Sequence, residues 1–116
     1  MSEAPVPLSW DEFQRVDIRV GRVLSAVANL KAIKPAYHLR VDFGAEIGVR
    51  DSSAQLTVHY QPEELIGRLV VAVVNFPPKR IAGVKSEVLV LGVPDQAGAV
   101  VLLHPSIDVP LGGRLF

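Results

Sequence analysis

Tyr37-His38-Leu39-Arg40-Val41-Asp42-Phe43 settles the fold class, because apolar residues at 37, 39, 41 and 43 alternate with polar ones at 38, 40 and 42. A strand sends successive side chains to opposite faces, so this run predicts a strand with one buried and one wet face. Upstream, Ile18 and Val20 alternate with Asp17 and Arg19 until Gly21 shifts the phase before Val23 and Leu24, which predicts a strand with a bulge at Gly21. Downstream, a third strand is expected from about Ile47 towards Val58. Pro62, Glu63, Glu64 and Leu65 then predict one helical turn closed by Gly67.

Residues 69–74 and 88–93 are near-continuous apolar runs, the pattern of central strands covered on both faces. Between them, residues 75–87 carry the Pro77-Pro78 pair and Gly83 and read as a loop without a long helix. A turn over 94–98, a strand over 100–103 and a bend over 110–113 complete the chain. At the other end, residues 1–8, with Pro5 and Pro7, form an extended lead-in, and Ser9-Trp10-Asp11-Glu12 spells a capping box. A short helix starts there and ends near Arg15, with Leu8 expected to staple onto Phe13 and the helix to cover a barrel end or a subunit seam. Five or six strands with short connectors predict an all-β five-stranded barrel. It occupies residues 1–116 as one domain, with lead-in and helix over 1–15 and a C-terminal extension over 106–116.

Of the 116 residues 49% are hydrophobic and 21% charged, too apolar for a disordered chain. No stretch approaches the roughly 18 apolar residues that span a bilayer, and no basic-then-apolar leader opens the chain. Cysteine is absent, which excludes disulfides and thiolate metal sites and suits a reducing cytoplasm. Twelve basic and twelve acidic side chains cancel, yet they are segregated. Residues 18–41 hold Arg19, Arg22, Lys31, Lys34 and Arg40 without an acid, and residues 65–86 hold Arg68, Lys79, Arg80 and Lys85 without one. If folding joins the two blocks, a neutral protein carries a basic face.

Chemistry beyond binding has no support in the residues. His38, His59 and His104 lack ligand spacing, so no metal is expected. Ser52 or Ser53 with His59 lacks the elbow that presents a nucleophile, and no glycine pattern cradles a nucleotide cofactor. The informative stretch is 75–86, where Asn75, Lys79, Arg80, Lys85 and Ser86 can meet phosphates, sugars and base edges. Phe76, Ile81 and Val84 in the same stretch would suit an extended peptide.

KPAY (34–37), SSAQ (52–55), YQPEELIGR (60–68), VVAVVNFPPKRIAG (70–83) and SEVLVLGV (86–93) resemble the CsaA family, in order and over most of residues 13–105. That family is similar to the wider group of tRNA-binding domains found in endothelial monocyte-activating polypeptide and at the C-terminus of bacterial methionyl-tRNA synthetase. The resemblance implies an OB fold, a homodimer built with the N-terminal helix and C-terminal residues, tRNA binding, a chaperone-like role towards exported preproteins, and no catalysis. The wider group's signature asparagine, lysine and serine fall on Asn75, Lys79 and Ser86. Glu87, Val88 and Leu89 stand where that group has glutamine, glycine and methionine, so an acid that repels phosphate is placed beside the signature serine. The expected RNA rim is therefore Lys34, Ser53, Asn75, Lys79, Arg80, Lys85 and Ser86, and the alternative peptide site Phe76, Ile81 and Val84.

Overall fold

The alternating run becomes a strand whose inward residues Leu39 and Val41, with Phe43 just past its end, are wholly shielded. The computed structural model describes residues 6–116, so the first part of the lead-in, Pro5 included, lies outside the described residues. In chain order the elements are α1 (Trp10–Gln14), β1 (Ile18–Ala28), β2 (Tyr37–Asp42), β3 (Val49–Ala54), α2 (Pro62–Leu65), β4 (Leu69–Val73), β5 (Lys79–Ile81), β6 (Val84–Ser86), β7 (Leu89–Val90), β8 (Gly92–Pro94) and β9 (Val100–Leu102). Five strands form one antiparallel sheet in the order β3-β2-β1-β4-β7, and β5–β6 and β8–β9 pair as separate hairpins.

That sheet curls until β3 meets residues 86–88. There the Glu87 N–H donates to the Asp51 carbonyl at 2.8 Å. Side chains supply the rest of the seam: the buried Ser52 Oγ donates to the Val88 carbonyl at 3.0 Å, the Ser53 N–H donates to Ser86 Oγ at 3.1 Å, and the Asp51 N–H donates to Glu87 Oε1 at 3.2 Å. Closure satisfies the polar edges that an open sheet would expose. The result is the expected all-β, nearly closed five-stranded barrel with a short helix near its N-terminus. Inside it Phe43, Leu39, Val41, Val23 and Val70 pack with Leu65, which α2 delivers from the end of the barrel.

Local expectations fared unevenly. The capping box is present, with Glu12 N–H donating to Ser9 Oγ and Ser9 N–H to Glu12 Oε1, both at 3.1 Å. Leu8, however, is exposed, and Phe13 packs instead against Trp10, one helical turn away, with ring centroids 5.6 Å apart. Gly67, at φ +85°, ends α2 as expected. The irregularity in β1 lies between Val23 and Ser25 rather than at Gly21, which keeps its pairing with Val70. Gly21 is required for another reason: a Cβ there would sit 2.5 Å from Val41 Cγ1 and 2.8 Å from the Phe43 ring.

Strand β3 stops at Ala54, short of Val58, because the chain turns there and drops Leu56 into the core. β4 is buried at all its positions. The second apolar run is not a central strand: it breaks at Leu91 into β7 and β8, and Leu89 remains half-exposed at the end of the sheet. Leu91 passes the chain from one partner to the next, donating to the Val71 carbonyl and accepting from the Leu103 N–H. The C-terminal extension lies along the edge of β1 that β2 leaves free, through Val20 N–H to Gly113 O at 3.0 Å, Gly112 N–H to Val20 O at 2.8 Å and Leu115 N–H to Ile18 O at 2.9 Å. No described helix is long and apolar enough to cross a membrane.

Gly21→Ala should destabilise the barrel by about 1–3 kcal/mol, the usual cost of overpacking a well-filled interior. Urea denaturation with the slope unchanged would register it as a lower midpoint.

Candidate nucleic-acid interface

Where β4 leaves the barrel, Pro77 and Pro78 interrupt pairing, and the chain then rises as a hairpin in a segment whose prolines and glycine predict a loop. Its turn is Ala82-Gly83, both at positive φ (47° and 85°), the two-residue geometry that matches strand twist. Register places Lys79 opposite Ser86, Arg80 opposite Lys85 and Ile81 opposite Val84. Alternation therefore puts Lys79, Ile81 and Ser86 on one face of the hairpin and the adjacent cations Arg80 and Lys85 on the other.

The first face closes over an open cleft of roughly 490 Å3. Five of the expected residues line it: Ser53, Phe76, Lys79, Ile81 and Ser86. The cleft lies directly on the barrel seam, since Ser86 Oγ accepts from the Ser53 N–H while its own hydroxyl hydrogen stays available. Glu87 also lines it, but its carboxylate is engaged: Oε1 accepts from the Asp51 N–H and Oε2 lies 4.0 Å from Arg50 Nη1. Inward-facing Val84 is buried, so it presents no surface to a peptide.

Asn75 sits beside this cleft with its amide already employed. Its Oδ1 accepts from the Asp17 N–H at 3.1 Å and its Nδ2 donates to the Arg15 carbonyl at 2.6 Å, clipping the α1–β1 junction to the end of β4. One amide hydrogen remains for a ligand.

The two acid-free blocks meet, but through fewer residues than charge counting suggests. The β1–β2 loop docks on the hairpin turn, with Asn29 Nδ2 donating to the Ala82 carbonyl at 3.3 Å. The same loop lays the Lys31 side chain beside Gly83, and Lys34 stands exposed three residues before the start of β2. Lys31 was not among the expected site residues, although the acid-free block contained it. Other members of the blocks serve the fold. Arg19 is held by Asp17 at 2.6 Å and donates to the Gly112 carbonyl, Arg22 donates to the Gly67 carbonyl, Arg40 faces Asp51 at 3.4 Å and Arg68 lies over the Tyr60 ring. Around Lys31, Lys34, Lys79, Arg80 and Lys85, no carboxylate of the described residues comes within 4.0 Å. The three histidines stand apart, His38 against Asp51, His59 against Asp95 and His104 against the Pro105 carbonyl.

The chain is similar to proteins of known family and fold. The tRNA binding domain family matches residues 18–114. The solved chaperone CsaA from Bacillus anthracis str. Ames is 48% identical and superposes with a TM-score of 0.85, covering 96% of this chain and 100% of that one. CsaA from Picrophilus torridus gives 45% identity and a TM-score of 0.87, over 95% of this chain and 100% of that one. The methionine–tRNA ligase of Thermococcus kodakarensis is 39% identical over 108 residues; these are 93% of this chain but only 14% of the ligase.

Removing the Asn75 clip should loosen the helix–strand junction before it touches the barrel. Asn75→Ala is expected to cost about 1–2 kcal/mol, since two backbone partners lose their hydrogen bonds, and to raise amide exchange at Asp17 ahead of that in β2.

Proposed function

The chain belongs to the tRNA binding domain family and, within it, to the CsaA proteins, and from that premise we propose that it is a non-enzymatic, cytoplasmic, homodimeric protein that grips folded tRNA with the rim around β5–β6. Lys31, Lys34, Arg80 and Lys85 pair with backbone phosphates. Lys79, Ser53 and Ser86 meet a phosphate or sugar at the cleft, and Asn75 holds the rim in place while offering its remaining amide hydrogen.

One observation carries this reading: Arg80 and Lys85 are directly opposed in a hairpin beside whose turn the Lys31 side chain lies, with no carboxylate of the described residues within 4.0 Å of these cations. Like charges opposite one another weaken a strand pair, and a bound phosphate reverses the sign of that term. Contacts of this kind recognise a backbone and a shape rather than a base sequence. Exposed Leu8 and Trp10 at the N-terminal end, with Ile107 and Phe116 in the C-terminal extension, support a subunit seam at those segments. Two rims on one ligand would add avidity without new contacts.

A chaperone reading has its own support in the walls of the cleft, where Phe76, Pro77, Pro78, Ile81 and Leu89 form an apolar lining suited to extended segments of exported preproteins. Val84, being buried, leaves that contact set.

With about three or four phosphates neutralised, log affinity for tRNA should fall against log salt with a slope of about −2 to −4. The folded double variant Lys79→Ala/Lys85→Ala should bind several-fold more weakly with a shallower slope. Salt-independent binding, or unchanged affinity in that variant, would remove these residues from the site. For the chaperone reading, an unfolded preprotein segment held in the cleft should be displaced by excess tRNA. Suppression of aggregation that persists under excess tRNA would place the polypeptide elsewhere.

A further inference from the structure

The loop between β1 and β2 sets its two largest apolar side chains in water. Leu30 is 95% exposed and Ile33 103%, so neither is covered by the fold. The backbone beneath them is nonetheless fixed, and Asn29 fixes it. Its N–H donates to the Ala36 carbonyl at 2.9 Å and its carbonyl accepts from the Ala32 N–H at 3.2 Å, closing the loop at its base. Its side chain accepts from the Lys31 N–H at 3.1 Å and donates to the Ala82 carbonyl at 3.3 Å, tying the loop to the β5–β6 turn. Ordering a loop costs conformational entropy, and here the fold recovers no apolar burial from the side chains at the tip. Such an arrangement suits a partner that covers them.

The surroundings are apolar and free of acid. Leu30, Ala32, Ile33, Pro35 and Ala36 share an open hollow of roughly 260 Å3 with Thr57 from the turn after β3, and the adjoining Val58 is 73% exposed. The stretches to which these residues belong, 18–41 and 52–62, contain no Asp or Glu. Lys31 and Lys34 each directly follow one of the two aliphatics, and neither has a carboxylate of the described residues within 4.0 Å. The partner that this pattern fits is both apolar and anionic, with its charge a few ångströms from its apolar part.

Two kinds of macromolecule fit less well. Unpaired bases stack on aromatic rings or arginine planes, and residues 29–36 hold neither. A secretory leader opens with cations, which Lys31 and Lys34 would repel. We propose that this loop docks on the surface of an anionic lipid bilayer, with Leu30 and Ile33 entering the boundary between headgroups and acyl chains and Lys31 and Lys34 pairing with the lipid phosphates. Apolar groups at that boundary lie about 5–10 Å deep, and cations gain from the surface potential only within a Debye length, about 8 Å at physiological salt. Neighbouring residues of one loop meet both conditions. Two aliphatic side chains give reversible attachment to the membrane face, not a span across it.

The full chain should co-sediment with vesicles of equal parts phosphatidylglycerol and phosphatidylcholine, come off at high salt, and stay off vesicles of phosphatidylcholine alone. Leu30→Ser/Ile33→Ser changes side chains that the fold leaves uncovered, so this variant should fold as the parent does and keep its affinity for tRNA. Its partitioning onto the anionic vesicles should fall at least about tenfold. The chain has no cysteine, so Ile33→Cys can carry a single environment-sensitive fluorophore, whose emission should move to the blue on anionic vesicles. Failure to co-sediment, equal partitioning of the serine variant, or unmoved emission would overturn the proposal. So would loss of tRNA affinity in the serine variant, which would make the tip an RNA contact, or a change in its solution mass, which would make it a subunit contact. Vesicle binding is measured without RNA, so this proposal and the reading of the β5–β6 rim fail separately.

Discussion

Closure of the barrel between β3 and residues 86–88 is the constraint on which the rest depends. An ordinary ladder uses backbone groups on both sides, whereas here Ser52, Ser86 and Glu87 contribute side-chain atoms to the join. Ser52 is fully buried, so its hydroxyl must find a partner, and the Val88 carbonyl is that partner. Each such bond contributes only about 1 kcal/mol net, but leaving its donor or acceptor unmade inside the barrel costs more. The seam consequently sets the position of β6, and with it the β5–β6 hairpin and the cleft beneath.

Much of this architecture was legible because single physical rules governed it. Strict alternation marked β2, reciprocal capping by Ser9 and Glu12 marked α1, and the Pro62 start with Gly67 beyond the end marked α2. Legibility failed where two rules competed. Ala82 holds a left-handed conformation that favours glycine or asparagine, which hid the hairpin. Gly21 answered to the close approach of Phe43 rather than to a bulge, and residues 88–93 were apolar enough to look central although Leu91 changes partners midway. At the candidate site, residue types pointed to the 75–86 segment, but one-dimensional order could not show that Asn75 is tied to Arg15 and Asp17 or that Val84 faces inward.

Overall neutrality and a basic rim are reconciled by how the acids are employed. Asp17 holds Arg19 and stands 3.6 Å from Arg114, Asp51 faces His38 and Arg40, and Glu87 joins the seam beside Arg50. Carboxylates committed to internal work leave the loop and hairpin cations to present their charge outward. The formal sum of zero thus conceals an uneven distribution, with Arg19, Arg22, Arg40 and Arg68 engaged by the fold and Lys31, Lys34, Lys79, Arg80 and Lys85 beyond 4.0 Å of any carboxylate of the described residues.

The cleft lined by Ser53, Ser86 and Glu87 straddles the line along which the cylinder is sealed. Whatever occupies it bridges two segments that otherwise hold each other partly by side-chain atoms, and so acts as a clasp. Occupancy would be felt as slower breathing of the whole wall, because a ligand that favours the shut form draws the population towards it in proportion to its affinity. The surface that would hold a partner is thus also the join that keeps the cylinder shut.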